Sequence, residues 1–391
     1  MKILFLTYDL PFPLDQGGKI RAYHLIKQLA QRHQVTLFSF YRHEKQRRYL
    51  RQLKPFCSKI VLFKRMKVFS WRHVLTALRP NFAFPIALYW SPELKASLEQ
   101  VIVAGDYDLI HYESFYLSLY LQPGIKPPQI LGTENIEWQV YQQYHHHHPW
   151  LFFRGLAAGE VWRTKRFEQK TWRLADACLA VSAENQKAIE KASHRKCYLV
   201  PNGVDLDFFS YRPRLPQKPA TILFVGNFKY IQNQDTGRFL IHQVMPLLKK
   251  KLSSVKLLLV GRQPPKDLKP YVKTKVDDIR QAYQAADILL APIRVGSGTK
   301  FKILEAMASG LPVITTPVGI EGIKARHGRE VIVENKPEAM AAAVTNLLNN
   351  RYYYQQLSRM ARKFVEKNYD WKKIGDQLEK AYQEIIRDKK A

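Results

Sequence analysis

Val295-Gly296-Ser297-Gly298-Thr299-Lys300-Phe301-Lys302-Ile303-Leu304-Glu305-Ala306-Met307-Ala308-Ser309-Gly310, followed by Leu311-Pro312-Val313-Ile314-Thr315, is the stretch that decides the fold. Its pattern predicts a strand from Ile288 to Pro292, a glycine loop, a helix, and a Gly-Pro turn into a buried strand. Gly296 and Gly298 carry no Cβ, so the loop backbone can come close to a ligand. The loop opens into a helix whose leading N–H groups and positive dipole end suit an anion such as a phosphate. Glu305 falls about a turn and a half inside that helix, placed to accept hydrogen bonds from sugar hydroxyls. Alone, the same residues also fit an ordinary βα turn with a surface glutamate.

A length of 391 residues suggests two domains, each able to bury its own core. An apolar fraction of 46% with 24% charged residues is that of a globular chain, not a disordered one. No apolar run approaches the roughly 20 residues of a membrane-spanning helix. Met1 to Asp9 reads as a first buried strand rather than a signal peptide, because its apolar run is short and no small-residue cleavage site follows. Cys57, Cys178 and Cys197 have no metal or redox spacing and fit reduced thiols in a cytoplasmic protein. The net charge of +29 calls for an anionic partner. No zinc-finger, RNP-type or basic-heptad pattern supports nucleic acid, whereas an anionic membrane surface accounts for the charge equally well.

The N-terminal half alternates strands with helical patterns: Ile3 to Thr7, Val35 to Phe40, Ile60 to Phe63, Leu109 to Tyr112, Ile130 to Gly132, Cys178 to Val181 and Tyr198 to Val200. Strands separated by helices predict parallel crossovers and an α/β, doubly wound sheet with ligands at the strand carboxyl ends. Gly17-Gly18 falls at one such end, and His111 and Asn135-Ile136-Glu137 fall at or beyond two others. His111 reads either as a polar contact of the site or as a histidine capping a strand. Glu137 reads either as a carboxylate that orients or deprotonates an acceptor hydroxyl, or as a helix N-terminal Glu favoured by the dipole. His145 to His148 read as a solvated loop, since neighbours in one run cannot all face one ion. From Trp150 to Arg173 aromatics alternate with cations at helical spacing. This segment is either an interfacial helix on anionic lipid or a helix packed on the N-terminal sheet with a basic outer face, and Arg42 to Lys54 would add to the same basic surface. Pro201-Asn202-Gly203-Val204-Asp205 is a turn ending the first half. Strands from Thr221 and Val255 then repeat the plan, placing Lys229 and Arg262 at neighbouring strand ends.

The run Gly296-x-Gly298-Thr299-Lys300-x-Lys302-x-x-Glu305-Ala306-Met307-Ala308-x-Gly310-x-Pro312-Val313 resembles the donor-binding segment of retaining glycosyltransferases of family 4, in their bacterial polysaccharide-type branch. Glu305 corresponds to the second of two glutamates that many members carry, and Ser297 stands where the first would be, so the usual acidic contact to the donor sugar is missing. The resemblance implies a GT-B architecture of two Rossmann-like domains facing across a cleft, with domains at 1–203 and 204–370 and a last helix from 371 to 391 crossing back to the first. It implies transfer of a sugar from a nucleotide-diphosphate sugar to a lipid-linked or saccharide acceptor with retention, needing no cofactor and no metal, in the cytoplasm or on the inner face of its membrane. Lys229, Arg262, Lys300, Gly298 and Thr299 would stabilise the leaving diphosphate. Lys302 is placed at the same task with a side chain expected to face solvent, and Glu305 at the ribose. Gly17, Gly18, Gly226, Asp277 and Glu321 fall in the donor-binding frame, with Asn135 on the acceptor side. A phosphorylase-like enzyme on the same fold and a non-catalytic basic binding protein are the alternatives.

Overall fold

A computed structural model describes every residue except 79–82, 147–150, 253, 297 and 391, and side-chain surroundings except also those of 143–146 and 151–157. The chain forms two compact units, Met1–Pro201 together with the segment from Trp371, and Asn202–Asp370. The division falls inside the Pro201 to Asp205 turn.

In the first unit seven parallel strands form one sheet: β1 (Lys2–Thr7), β2 (Gln34–Tyr41), β3 (Lys59–Lys64), β4 (Leu109–Glu113), β5 (Gln129–Thr133), β6 (Ala177–Ala180) and β7 (Cys197–Leu199), in the order β3-β2-β1-β4-β5-β6-β7. The order reverses between β1 and β4, where Thr7 lies opposite Glu113. Their apolar runs are buried on both faces, as a helix-covered parallel sheet requires, and Leu4, Leu6, Phe38, Ile110, Tyr112 and Leu131 share one core. The terminal helix Trp371–Lys390 packs on the helix Gly17–Leu29. Trp371 stacks on His24 with ring centroids 5.0 Å apart, and Gly375 lies so close that a Cβ would be 2.6 Å from Cβ of Gln28.

The aromatic, basic segment is one helix, Leu151–Leu174. It packs within this unit: Thr164, Glu168, Thr171 and Trp172 are buried, while Trp162 stays exposed under Arg166. The second half of the helix therefore packs against its own unit, as one of the two alternatives expects. The four-histidine run was expected in a loop, but His145 and His146 end the helix Glu137–His146; His147 and His148 lie outside the described residues.

The second unit repeats the winding with β8 (Ala220–Val225), β9 (Val255–Val260), β10 (Val272–Lys273), β11 (Ile288–Ala291), β12 (Val313–Thr315) and β13 (Ile332–Val333), in the order β10-β9-β8-β11-β12-β13. The reversal here lies between β8 and β11, so the loops after these strands meet at the crevice where doubly wound sheets take ligands.

Candidate functional site

The loop after β11 runs to Lys300, which stands immediately before the helix Phe301–Ala308. Gly296 and Gly298 hold φ of 114° and 76°, the left-handed region that glycine enters without strain. Ser297 between them lies outside the described residues. Oγ1 of Thr299 is buried and has no hydrogen-bond partner among the described residues, which suits it to a ligand oxygen.

Two lysines follow on the first turn. Lys300 bonds the Gly298 carbonyl with its ammonium and lies 3.9 Å from Glu321. Burial pushes it down to about 8 against the pull of Glu321. Lys302 does not face solvent. Its ammonium sits 4.3 Å from the Phe224 ring centroid and donates to Oδ1 of Asn233 over 2.8 Å. Burial drives it to about 7; Glu305 opposes this and the charge of Lys300 adds to it. Two desolvated ammonium groups on one turn of helix cost free energy that a bound anion would offset.

Glu305 accepts a 2.6 Å hydrogen bond from the Tyr283 hydroxyl through Oε2. Burial raises its pKa, with Tyr283 and Lys302 opposing. Asn233 ties the layer together: its Nδ2 donates to the Asn227 carbonyl, and a Cβ on Gly226 would meet its side chain at 2.8 Å. Neither Tyr283 nor Asn233 was singled out for this site from the sequence. Lys229 and Arg262 are exposed just beyond β8 and β9, where Phe228 N–H donates to the Arg262 carbonyl over 2.8 Å and keeps the two strand ends side by side. Asp277 is exposed. Its neighbour Asp278 takes the structural part, capping the helix Ile279–Gln284 and pairing with Arg280.

In the first unit Gly17-Gly18 opens the helix after β1. A Cβ on Gly18 would lie 2.3 Å from the Tyr8 hydroxyl and 2.8 Å from both oxygens of Glu134. Glu134 follows β5, and its Oε1 is out of solvent with no hydrogen-bond partner among the described residues. Burial first, then the charge of Glu113, pushes it up to about 8, with Arg21 opposing. Glu137 is pushed up to about 7 by burial, with the Tyr116 hydroxyl donating to it over 3.3 Å. The amides that open its helix are capped instead by Glu168, which accepts from N–H of Glu137 at 3.0 Å and of Trp138 at 3.2 Å. Glu137 itself stands in the first turn of that helix, where the dipole favours a carboxylate. Asn135 is half-buried between the two carboxylates in sequence.

His111 takes neither of its expected places. It lies mid-strand in β4, fully buried, with its ring 4.3 Å from that of Phe5, bonded to the Tyr382 hydroxyl through Nδ1 and to Glu113 through Nε2 at 2.6 Å. From there it orients Glu113, which also holds Arg21 at 2.7 Å. Arg21 in turn donates to the carbonyls of Val200 and Pro201, fixing the end of the unit's sheet.

A model of Glycosyltransferase Family 4 matches residues 16–208, and one of Glycosyl transferases group 1 matches residues 219–350. The chain belongs to glycosyltransferase family 4. Among relatives of this glycosyltransferase is an uncharacterized 44.6 kDa protein in the cps region of Klebsiella pneumoniae, 21% identical over 95% of this chain and 97% of that one. Another is the phosphatidyl-myo-inositol mannosyltransferase of Mycobacterium leprae, 23% identical over 76% and 79%. The Anabaena protein HepE, solved with UDP and glucose, superposes with a TM-score of 0.64 at 16% identity, covering 98% of this chain and 99% of its own. Sucrose-phosphate synthase of Thermosynechococcus elongatus does so with 0.63 at 17%, covering 99% of each. At these identities the structural matches speak for the fold: the two Rossmann-like sheets of this glycosyltransferase are of GT-B type.

Proposed function

We propose that this glycosyltransferase moves a hexosyl group from a nucleoside-diphosphate sugar to an acceptor hydroxyl, with retention and without a metal. The observation that carries this is the pair Lys300 and Lys302, both desolvated on the first turn of a helix behind a left-handed glycine loop. A diphosphate is the ligand that would restore their charge, and the same fixed cations would stabilise the negative charge growing on the leaving group. Lys229 and Arg262 extend that field, and Glu305, held by Tyr283, offers its other oxygen to ribose hydroxyls. HepE was solved with UDP, which supports a nucleotide at such a fold. The mycobacterial relative is named for a phosphatidylinositol acceptor and the Klebsiella relative for a cps region, which favours a lipid-linked or saccharide acceptor in cell-surface glycan synthesis. Three free thiols, Cys57, Cys178 and Cys197, favour a reducing, cytoplasmic setting.

The test is a melting-temperature screen against UDP, GDP, dTDP and ADP, since a ligand that binds only the native state raises it. One diphosphate should stabilise the wild type and not Lys300→Ala. Release of that diphosphate from its sugar in the presence of acceptor should survive EDTA. No stabilisation by any diphosphate would reject the reading.

A further inference from the structure

The helix Trp71–Ala77 and the residues on either side of it are built inside out. His73 and Thr76 are buried, while Val68, Phe69, Trp71, Val74, Leu75 and Leu78 are exposed together with the charged Arg72; Phe69 is 75%, Trp71 68% and Leu78 71% accessible. The inward polar side chains hold this arrangement. His73 accepts the Phe69 N–H through Nδ1 at 3.2 Å and donates from Nε2 to the Phe84 carbonyl at 3.0 Å, so it sits as the neutral Nε2–H tautomer. Thr76 donates to the Arg72 carbonyl, Ser70 caps the first turn, and Arg163 donates to the Ala77 carbonyl at 2.9 Å. Phe69 carries a φ of 58°, a region a bulky residue enters only when its surroundings impose it. An exposed apolar stretch fixed by polar contacts from beneath is a built surface, and exposed apolar surface on this scale marks an interaction site.

Charge identifies what covers it. From residue 45 to residue 92 the chain has eleven Lys and Arg and no Asp or Glu. Lys64, Arg65, Lys67, Arg72 and Arg79 are the cations nearest to the apolar residues in sequence; Lys64 lies 3.6 Å from Glu44, and Arg72 lies 5.2 Å from the Trp71 ring centroid. Glu160, from the neighbouring helix, is turned onto the Phe84 N–H and Arg163. Protein interfaces are depleted in lysine, whereas aromatic and aliphatic side chains on a stretch of chain that carries Lys and Arg and no carboxylate match the boundary between acyl chains and anionic headgroups. No helix among the described residues is long and apolar enough to cross a membrane.

We infer that residues 64 to 78 form a wedge that seats the protein on an anionic lipid surface, with Phe69, Trp71 and Leu78 entering the headgroup layer. This stands without the transferase reading. It places the lipid contact on a segment other than the Leu151–Leu174 helix.

The full chain is sedimented with vesicles of phosphatidylglycerol and phosphatidylethanolamine, or of phosphatidylcholine alone. Binding is expected on the anionic vesicles and at least tenfold weaker on the neutral ones. F69S/W71S/L78S should weaken anionic binding at least tenfold with an unchanged melting temperature, because these side chains are exposed. Lipids brominated near the headgroup should quench part of the tryptophan emission, and Trp71→Phe should remove that part while keeping vesicle binding. The inference fails if the wild type does not bind anionic vesicles or if the triple variant binds as well as the wild type. It fails too if that variant loses only a dimer seen by ultracentrifugation, or if heparin binding alone depends on the segment.

Discussion

A Cβ on Gly261 would fall 1.7 Å from the carbonyl oxygen of Gly226. The ends of β8 and β9 can run side by side into the donor region only because neither this position nor its neighbour carries bulk. The consequence reaches Asn233 and Lys302, since Gly226 is pressed against the Asn233 side chain. Gly261→Ala should cost at least about 1–3 kcal/mol through overpacking. A lowered urea midpoint with an unchanged slope would show it, together with weaker nucleotide binding. A variant as stable as wild type would mean the strand ends separate easily.

The lysine pair predicts a pH dependence. Lys302 and Lys300 lie near about 7 and about 8 without ligand, and a bound diphosphate raises both. Binding is then strongest below about pH 7, where both are already charged, and weakens as pH rises through and above these values because protons must be taken up. Calorimetry at pH 8 in two buffers of different ionisation enthalpy should show that uptake, and Lys302→Met should remove part of it. Buffer-independent heats would contradict the assignment.

Arg21 and Glu113 are a buried pair 2.7 Å apart. Burial alone would lift the Glu113 carboxyl, but Arg21 and His111 outweigh it and hold it at about 2. A depressed carboxylate contributes stability above its unfolded value and loses it as pH falls toward 2. Arg21→Met strands a buried charge and should cost about 3–5 kcal/mol at pH 7, whereas R21M/E113Q should cost less than Arg21→Met alone. Equal losses would show that Glu113 is compensated by other groups.

The repeated alternation of apolar runs with helical patterns disclosed both sheets, because a strand buried on two faces has little choice of residue. The two-residue strands β10 and β13 escaped, since two residues carry no period. Lys302 was expected to face solvent because a lysine one turn from a loop usually does; only the tertiary position of Phe224 and Asn233 shows why it does not. Glu137 and Glu134 stand three residues apart after one strand, and spacing alone does not separate them. What distinguishes Glu134 is an oxygen without a partner, a property of packing that no spacing encodes. His111 failed for a related reason, as a strand ending in His-Tyr-Glu looks the same whether the ring is lodged beside Phe5 or open to a ligand.

Glu134 supplies the last prediction. Its carboxyl is raised from the ordinary glutamate range to about 8, so folding favours the protonated form. Its stabilising contribution is complete below the unfolded value and is lost as pH rises through about 8. Glu134→Gln keeps the shape and stays neutral. It should match the wild type near pH 5 and melt a few degrees higher at pH 8.5, where about 1 kcal/mol corresponds to roughly 2–4 °C. If the carboxylate also takes the acceptor proton, the wild-type rate rises with pH through about 8, and the variant loses that limb along with about 10²–10⁴-fold of turnover. A variant less stable than wild type at every pH would show that Glu134 is held as an anion. A gain in stability with unchanged turnover would leave it as a packing residue beside Gly18.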